Sequence, residues 1–263
     1  MTMCFNEVIQ SLSPSSEGVW QVNPSDDWRQ GRTLFGGLSA ALCYAACENL
    51  VDDLPPLRSA QIAYIGPSMG EAVLVPNVLR RGKSVTFMAC DMVNDGAVST
   101  RALFCFGGER ESSIQQQPPG PPPVPRPDDC APLFRGRGPT FTQHLDQRVA
   151  GAYRPISGAP TGDMLIWVRF LEDAPPPGLV GLVALGDALP PASMPRFTAP
   201  AIISTMTWQF DLINPQAYDP SGWLLISSTD DAVGHGYSGQ GMRMWDANGA
   251  PVMIGRQSVA VFA

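Results

Sequence analysis

A proline-rich run near the middle of the chain constrains its architecture more than any other feature. Seven of the ten residues at positions 118–127 are proline. Because proline lacks a backbone N–H and its ring fixes φ, such a run cannot join a helix or a sheet interior and adopts extended polyproline II. We therefore predict that a spacer at residues 114–130 separates an N-terminal domain, residues 1–113, from a C-terminal domain, residues 131–263.

The halves on either side of the spacer repeat the same order of elements. In the first half, a lead-in strand precedes an apolar helix that begins at Gly36 and ends near Leu50, and long strands follow it. The second half repeats this order around a shorter helix. The predicted strands lie at residues 19–22, 59–65, 72–79, 85–93, 97–106, 141–153, 164–170, 203–212, 223–229, 237–245 and 252–262, and the shorter helix at 179–188.

Each half also carries a hairpin signal between two late strands. Residues 94–96 read Asn-Asp-Gly, and residues 247–249 read Ala-Asn-Gly; such sequences favour tight β-turns. A helix followed by a run of long antiparallel strands, twice over, indicates the α+β class. A long helix wrapped by such a sheet is a hotdog domain, so we predict two tandem hotdog domains in a double-hotdog architecture.

Composition and charge exclude several classes of function. The chain has a net charge of -7 and no basic run, which argues against a nucleic-acid partner. Its longest run of small apolar residues, 38–47, is about half the length of a membrane span, so no membrane partner is expected. Six cysteines without a CxxC pair, and no secretory signal at the N-terminus, favour a cytoplasmic protein. With only two histidines, neither a metal site nor another cofactor is expected.

Five short segments carry a resemblance to known proteins: residues 32–41 at the start of the first helix, 65–70 and 78–84 in the first half, and 186–191 and 255–258 in the second. Each segment alone is a weak signal, but the five are spread over most of the chain outside the spacer. Together they resemble proteins of the acyl-CoA thioesterase II type, which have two hotdog domains in one chain.

This resemblance implies a lipid-metabolism enzyme that hydrolyses an acyl-CoA thioester with an activated water. The family's catalytic set is an aspartate, a threonine or serine, and a glutamine, all from the second half. Gln257 matches the glutamine, whereas Thr205 stands where the aspartate is expected. The hydroxyl position falls within residues 229–231, which makes Thr229 the candidate hydroxyl and Asp231, or its neighbour Asp230, a candidate substitute base.

Thioester hydrolysis itself requires few groups. The leaving thiol has a pKa of about 8.5, so protonation of the leaving group is optional. An aligned water, a base and hydrogen-bond donors for the oxyanion are sufficient. Phe35, Gly36 and Gly37 open a helix whose first N–H groups are unpaired, so we interpret them as substrate-binding residues. His235 occupies the place of Lys83 in the repeat and is a further candidate near the substrate.

Three functions remain open at this point. The first is an acyl-CoA thioesterase. The second is a non-catalytic binder of acyl-CoA or another acyl ligand, which Thr205 at the aspartate position favours. The third is a hotdog enoyl-CoA hydratase or dehydratase, for which His235 near Asp231 is the support. Since hotdog sheets have exposed edges and faces, we also expect a homo-oligomer.

Overall fold

A computed structural model describes residues 2–134 and 138–263. Its first half contains two helices and eight strands. The long helix α2 is apolar and buried over nearly its whole length, which suits a helix enclosed by a sheet. In chain order the elements are α1 (Phe5–Gln10), β1 (Ser13–Ser16), β2 (Val19–Val22), β3 (Arg29–Gln30), β4 (Thr33–Leu34), α2 (Gly36–Leu50), β5 (Leu57–Tyr64), β6 (Ala72–Arg81), β7 (Val85–Asn94) and β8 (Ala97–Gly107).

The described residues of the second half contain one short α-helix and six strands. Its helix, α3, is entirely buried, as α2 is over most of its length. The elements are β9 (Leu145–Val149), β10 (Asp163–Phe170), α3 (Val180–Gly186), β11 (Ile202–Leu212), β12 (Leu224–Gly234), β13 (Tyr237–Asp246) and β14 (Pro251–Phe262).

Twelve of these strands form one continuous antiparallel sheet in the order β1-β2-β6-β7-β8-β5-β11-β14-β13-β12-β10-β9. The first and second halves meet at the pair β5–β11, where Ala63 lies opposite Thr207. Helices α2 and α3 pack directly against each other, and one hydrophobic core of buried residues extends across both halves. The two helices therefore meet inside the molecule, close to the strands that join the halves.

The predicted helices and long strands occur in the predicted order, but the short strands β1, β3 and β4 were not predicted, and two further local differences stand out. Residues 141–153, predicted as one strand, begin as a 3-10 helix, Thr140–His144, and continue as β9. The sequence analysis also missed α1, which packs Phe5 against Phe170 of the second half at a ring separation of 4.6 Å. A six-residue helix has too short a periodic pattern to be recognised before its packing partner is known.

The proline-rich spacer lies against the second half. Residues 108–126, all of them described, form no helix or strand. The indole Nε1 of Trp167 donates a hydrogen bond to the Pro125 carbonyl at 3.0 Å, and that of Trp245 donates to the Pro119 carbonyl at 3.1 Å. Proline carbonyls accept these bonds although the ring has no N–H to offer. The three-part division of the chain at residues 113 and 130 stays a prediction.

Candidate active site

A carboxylate lies where the two helices meet. Asp187 caps the C-terminus of α3, and its Oδ1 accepts a hydrogen bond from Nε2 of Gln257 on β14 at 2.5 Å. Its Oδ2 lies 2.6 Å from the point that a Cβ on Gly36 would occupy, at the first turn of α2. Asp187 thus faces a glutamine of its own half and the helix N-terminus of the other half.

The glycine pair at the start of α2 permits this approach. A Cβ on Gly36 would collide with the Asp187 carboxylate, and a Cβ on Gly37 would overlap the Ala184 carbonyl and the ring of Phe35. No side chain caps this helix end, so its first N–H groups have no intrahelical partner and carry the positive end of the helix dipole. The N–H of Gly37 faces Asp187 closely enough to favour the ionised carboxylate.

The environment of Asp187 places its pKa near neutrality. Burial of the carboxyl group raises the pKa from 3.8 to about 7, while the hydrogen bonds from Gln257 and the Gly37 backbone act in the opposite direction. Loss of hydration therefore outweighs the hydrogen bonds. The residue as a whole is only half-buried, so protein does not cover it on every side. A carboxyl group with a pKa near 7 is matched to general-base chemistry at neutral pH.

A chain of three hydrogen bonds leads from the backbone to this carboxylate. The N–H of Ala192 donates to Oε1 of Gln240 on β13 at 2.7 Å, and Nε2 of Gln240 donates to Oε1 of Gln257 at 2.7 Å. Nε2 of Gln257 then donates to Asp187. Both glutamines are buried and lie opposite each other on neighbouring strands.

The hydroxyl of Tyr64 lies at the same junction. Tyr64 ends β5, and its Cζ is 3.0 Å from the position of a Gly36 Cβ. The hydroxyl oxygen is buried and has no hydrogen-bond partner. Burial and the neighbouring Asp187 raise the pKa of this phenol well above its usual value, so it remains a neutral donor. A buried hydroxyl without a partner is uncommon and is available for a ligand or a water.

A β-bulge brings Thr205 to the face of the sheet that carries Gln257. The register of β11 shifts between Thr205 and Thr207, which places Thr205 opposite Val259 and Trp208 opposite Gln257. Directly opposed residues share a face, and Gln257 and Val259 share one by alternation. Strict alternation along β11 would place Thr205 and Trp208 on opposite faces. Bulges re-aim side chains in this way, and this one makes Thr205 a diagonal neighbour of Gln257, roughly 7–8 Å away.

The structure does not bring Thr229 and Asp231 to Gln257. Thr229 is exposed, and Asp231 is an exposed residue at a bulge in β12 that forms an ion pair with Arg256 at 2.8 Å. Arg256 and Gln257 are adjacent on β14 and therefore point to opposite faces. The alternative base Asp230 has a nearly buried side chain, but its Oδ2 is bound to Nε of Arg196 at 2.6 Å. Each of these two carboxylates is therefore paired with an arginine instead of Gln257.

The remaining predicted residues lie either at the start of α2 or at the β12–β13 hairpin. Phe35 precedes α2 and is buried, with its ring stacked on Phe141 at 4.0 Å. Gly36 and Gly37 lie beside Asp187, as described above. His235 lies at the exposed tip of the β12–β13 hairpin with a positive φ of 52°. A hairpin turn of this kind demands positive φ, so the position is explained by turn geometry.

A small cavity adjoins the site on the side of the sheet. It has a volume of about 10 Å³ and is lined mainly by Met242, Met244, Met253, Gly186 and Gly255. A cavity of this size holds roughly one water. Methionine side chains are flexible, so the cavity can be enlarged by rotation about their bonds.

Comparison with known proteins identifies the family. The model of the acyl-CoA thioesterase C-terminal domain matches residues 119–261, and that of the N-terminal domain matches residues 24–107. The chain belongs to the acyl-CoA thioesterase family. No protein of curated function matched the sequence.

Solved structures share the hotdog fold of this protein over nearly the whole chain. A hotdog-fold protein of unknown function from Alicyclobacillus acidocaldarius is 21% identical with a TM-score of 0.88, covering 100% of this chain and 99% of that one. A putative thioesterase II from Thermobifida fusca is 20% identical with a TM-score of 0.83, covering 100% and 98%. An acyl-CoA thioesterase II from Mycobacterium marinum is 16% identical with a TM-score of 0.78, covering 98% of each chain.

These matches confirm the predicted α+β double-hotdog fold and the resemblance to acyl-CoA thioesterase II. The sequence analysis missed Asp187, although it matched residues 186–191 to the family's helix end. A signal was present, because Asp187 ends an apolar helix and is followed by Ala188 and Leu189. The C-terminal end of a helix disfavours negative charge, so an acid there between apolar residues points to a function.

Within the described residues, no helix is long and apolar enough to cross a membrane.

Proposed function

We propose that the protein hydrolyses acyl-CoA thioesters, with Asp187 as the general base. The observation that carries this proposal is the position of its carboxylate, held by Gln257 and facing the N-terminus of α2. A base with a pKa of about 7 is half ionised at neutral pH. It can therefore accept a proton from a water that attacks the thioester carbonyl.

Oxyanion donors lie on the other side of the same point. As the water oxygen bonds to the carbonyl carbon, negative charge develops on the carbonyl oxygen. The N–H group of Gly36 at the start of α2 stabilises this charge, whereas that of Gly37 faces Asp187, and the partnerless hydroxyl of Tyr64 adds a further donor. The C–S bond then breaks, and the CoA thiolate leaves without prior protonation because its pKa is low. The proton held by Asp187 returns to solvent or to the thiolate.

Two further residues are candidates for contacts with the attacking water and with CoA. The hydroxyl of Thr205, on the face of Gln257, can hold the attacking water, since a hydroxyl both donates and accepts. Arg32 is exposed four residues before Gly36, and a guanidinium there suits a phosphate of CoA. Arg81, a second candidate for this role, is bound to Asp53 at 2.7 Å. Acyl-CoA as substrate, the cytoplasmic location and a homo-oligomer stay predictions.

The other two functions have less support. The non-catalytic reading depended on a missing aspartate, and Asp187 supplies a carboxylate beside Gln257. The hydratase function depended on His235 near Asp231, but this histidine lies at an exposed hairpin tip.

A thiol-release assay tests the proposal. Wild type and Asp187→Asn are assayed with acyl-CoAs from two to sixteen carbons, and Asp231→Asn serves as the matched control because it removes an exposed carboxylate outside the site. We expect turnover in wild type and the control, and a fall of about 10²–10⁴-fold in Asp187→Asn. Absence of turnover in wild type on every substrate, with a rise in melting temperature on adding acyl-CoA, would identify a binding protein instead.

A further inference from the structure

We infer that Gln240 is a positioning residue that fixes the orientation of the Gln257 amide and thereby makes Gln257 a hydrogen-bond donor to Asp187. The inference rests on the proposed function, since it assigns a role in the same site. Gln240 lies within the part of the chain that the C-terminal family model matches, but outside the short segments 186–191 and 255–258 that carry the resemblance in the sequence.

The argument begins at a group whose direction is fixed. The backbone N–H of Ala192 can only donate, so the atom of Gln240 facing it at 2.7 Å must be the amide oxygen. The NH₂ of Gln240 therefore faces Gln257, and the atom of Gln257 that accepts from it at 2.7 Å must be its oxygen. The NH₂ of Gln257 is then left to face Asp187 at 2.5 Å.

This chain of bonds decides between two states of Gln257. An amide can present either an oxygen or an NH₂ to a neighbour, since the two ends have nearly the same shape. An oxygen facing Asp187 would repel its carboxylate and tolerate only the protonated acid. An NH₂ stabilises the carboxylate, which is the form that accepts a proton from water. Gln240 therefore selects the catalytically competent state.

The packing around Asp187 leaves few other charges to control its ionisation. From α2 it meets the backbone of Gly36 and Gly37, and from β13 and β14 it meets neutral glutamines, directly or through one another. Asp187 raises the pKa of the titratable Tyr64 phenol on β5, so that this phenol remains neutral. Within the described residues, the hydrogen-bond donors that lower the pKa of Asp187 are Gln257 and the Gly37 backbone.

The test is the pH profile of thiol release by Gln240→Met, a substitution of nearly the same length. A hydrogen bond to a charged group shifts its pKa by about one to two units. Loss of the Gln257 bond should therefore raise the pKa of Asp187 and move the acid limb of the kcat–pH profile to higher pH by that amount. At pH 7 this lowers kcat roughly 5- to 50-fold, and activity recovers near pH 9. A merely structural loss would lower kcat at every pH without moving the limb.

Gln147→Met is the matched control. Gln147 is also buried, and its Nε2 donates to the carbonyl of Ala188, the residue after Asp187, at 2.7 Å. The variant loses a comparable hydrogen bond, but Gln147 is not hydrogen-bonded to Gln257. The acid limb of its kcat–pH profile should therefore stay at the wild-type pH. If Gln240→Met does not fold, Gln240→Asn keeps a polar group but is too short to reach Gln257, and the same shift is expected.

The outcomes separate this inference from the proposed function. An active wild type, an inactive Asp187→Asn and an unmoved acid limb in the Gln240 variant would overturn the role of Gln240 alone. An acid limb that moves equally in the Gln147 control would overturn it as well. A wild type that releases no thiol from any acyl-CoA would overturn the proposed function and this inference together.

Discussion

Replacement of Asp187 by asparagine should stabilise the protein above neutral pH while abolishing activity. The folded state raises the pKa of this group from 3.8 to about 7. Because the folded state holds the proton more tightly, unfolding releases protons, and stability falls as pH rises from about 4 to about 7. Above pH 7 the penalty is fully present. Asparagine keeps an oxygen that accepts from Gln257 and the Gly37 N–H, but it never ionises.

The size of the effect follows from the shift. At 1.36 kcal/mol per unit, a shift from 3.8 to about 7 corresponds to about 4 kcal/mol as an upper limit. Little more than one unit of this cost is present at pH 5, so the advantage of the variant should grow by roughly 3 kcal/mol between pH 5 and pH 8. For a chain of this length, that equals a change of roughly 5–10 °C in the melting-temperature difference.

The assay is thermal unfolding of wild type and Asp187→Asn by differential scanning calorimetry from pH 5 to pH 8. Asp231→Asn again provides the control, because this exposed carboxylate should show no such trend. A melting-temperature difference that stays constant across the range would refute the raised pKa of Asp187. The kinetic counterpart is a wild-type kcat that rises with pH through about 7, because the carboxylate is the active form.

Three further variants probe the neighbours of Asp187. Gly36→Ala places a methyl group 2.6 Å from its carboxylate and should lower kcat at least about tenfold; Gly239→Ala, whose Cβ meets nothing within 4 Å, should not. Tyr64→Phe keeps the ring but removes the partnerless hydroxyl, so kcat should fall roughly 10- to 100-fold with little change in melting temperature; full activity would exclude it as an oxyanion donor. Met253→Ala enlarges the cavity beside Gly186 and should lower the free energy of unfolding by about 2–5 kcal/mol, measured by urea denaturation; an unchanged denaturation midpoint would contradict this.

Most of the fold could be predicted because its signals are local or repeated. The glycine pair at the start of α2 and the hairpin turn in each half can be recognised directly from the sequence. Long alternating strands such as β11 and β14 also have a clear period. The short helix α1 has no such period, and its contact with Phe170 depends on a residue far along the chain.

The candidate site was predicted only in part because it depends on register and on contacts between halves. Gln257 and the α2 N-terminus were identified, but the carboxylate between them was sought near residue 231 instead of at Asp187. No local pattern shows that the end of α3 meets the start of α2. Alternation also failed at Thr205, because a bulge in β11 changes the face that this residue occupies. A single extra residue in one strand is invisible to a periodic pattern.

The candidate site takes its groups from both halves of the chain. The proposed base Asp187 and its donor Gln257 come from the second half, whereas the helix N-terminus at Gly36 and the Tyr64 hydroxyl come from the first. Strands β5 and β11 join the halves into one sheet, so the groups on either side of the site are fixed by the same hydrogen-bond ladder. Among the described residues, neither half alone contributes both the proposed base and a proposed oxyanion donor to this site. A substitution that shifts the β5–β11 register would therefore misalign the two sets without touching any of their side chains, and small misplacements of this kind cost rate steeply.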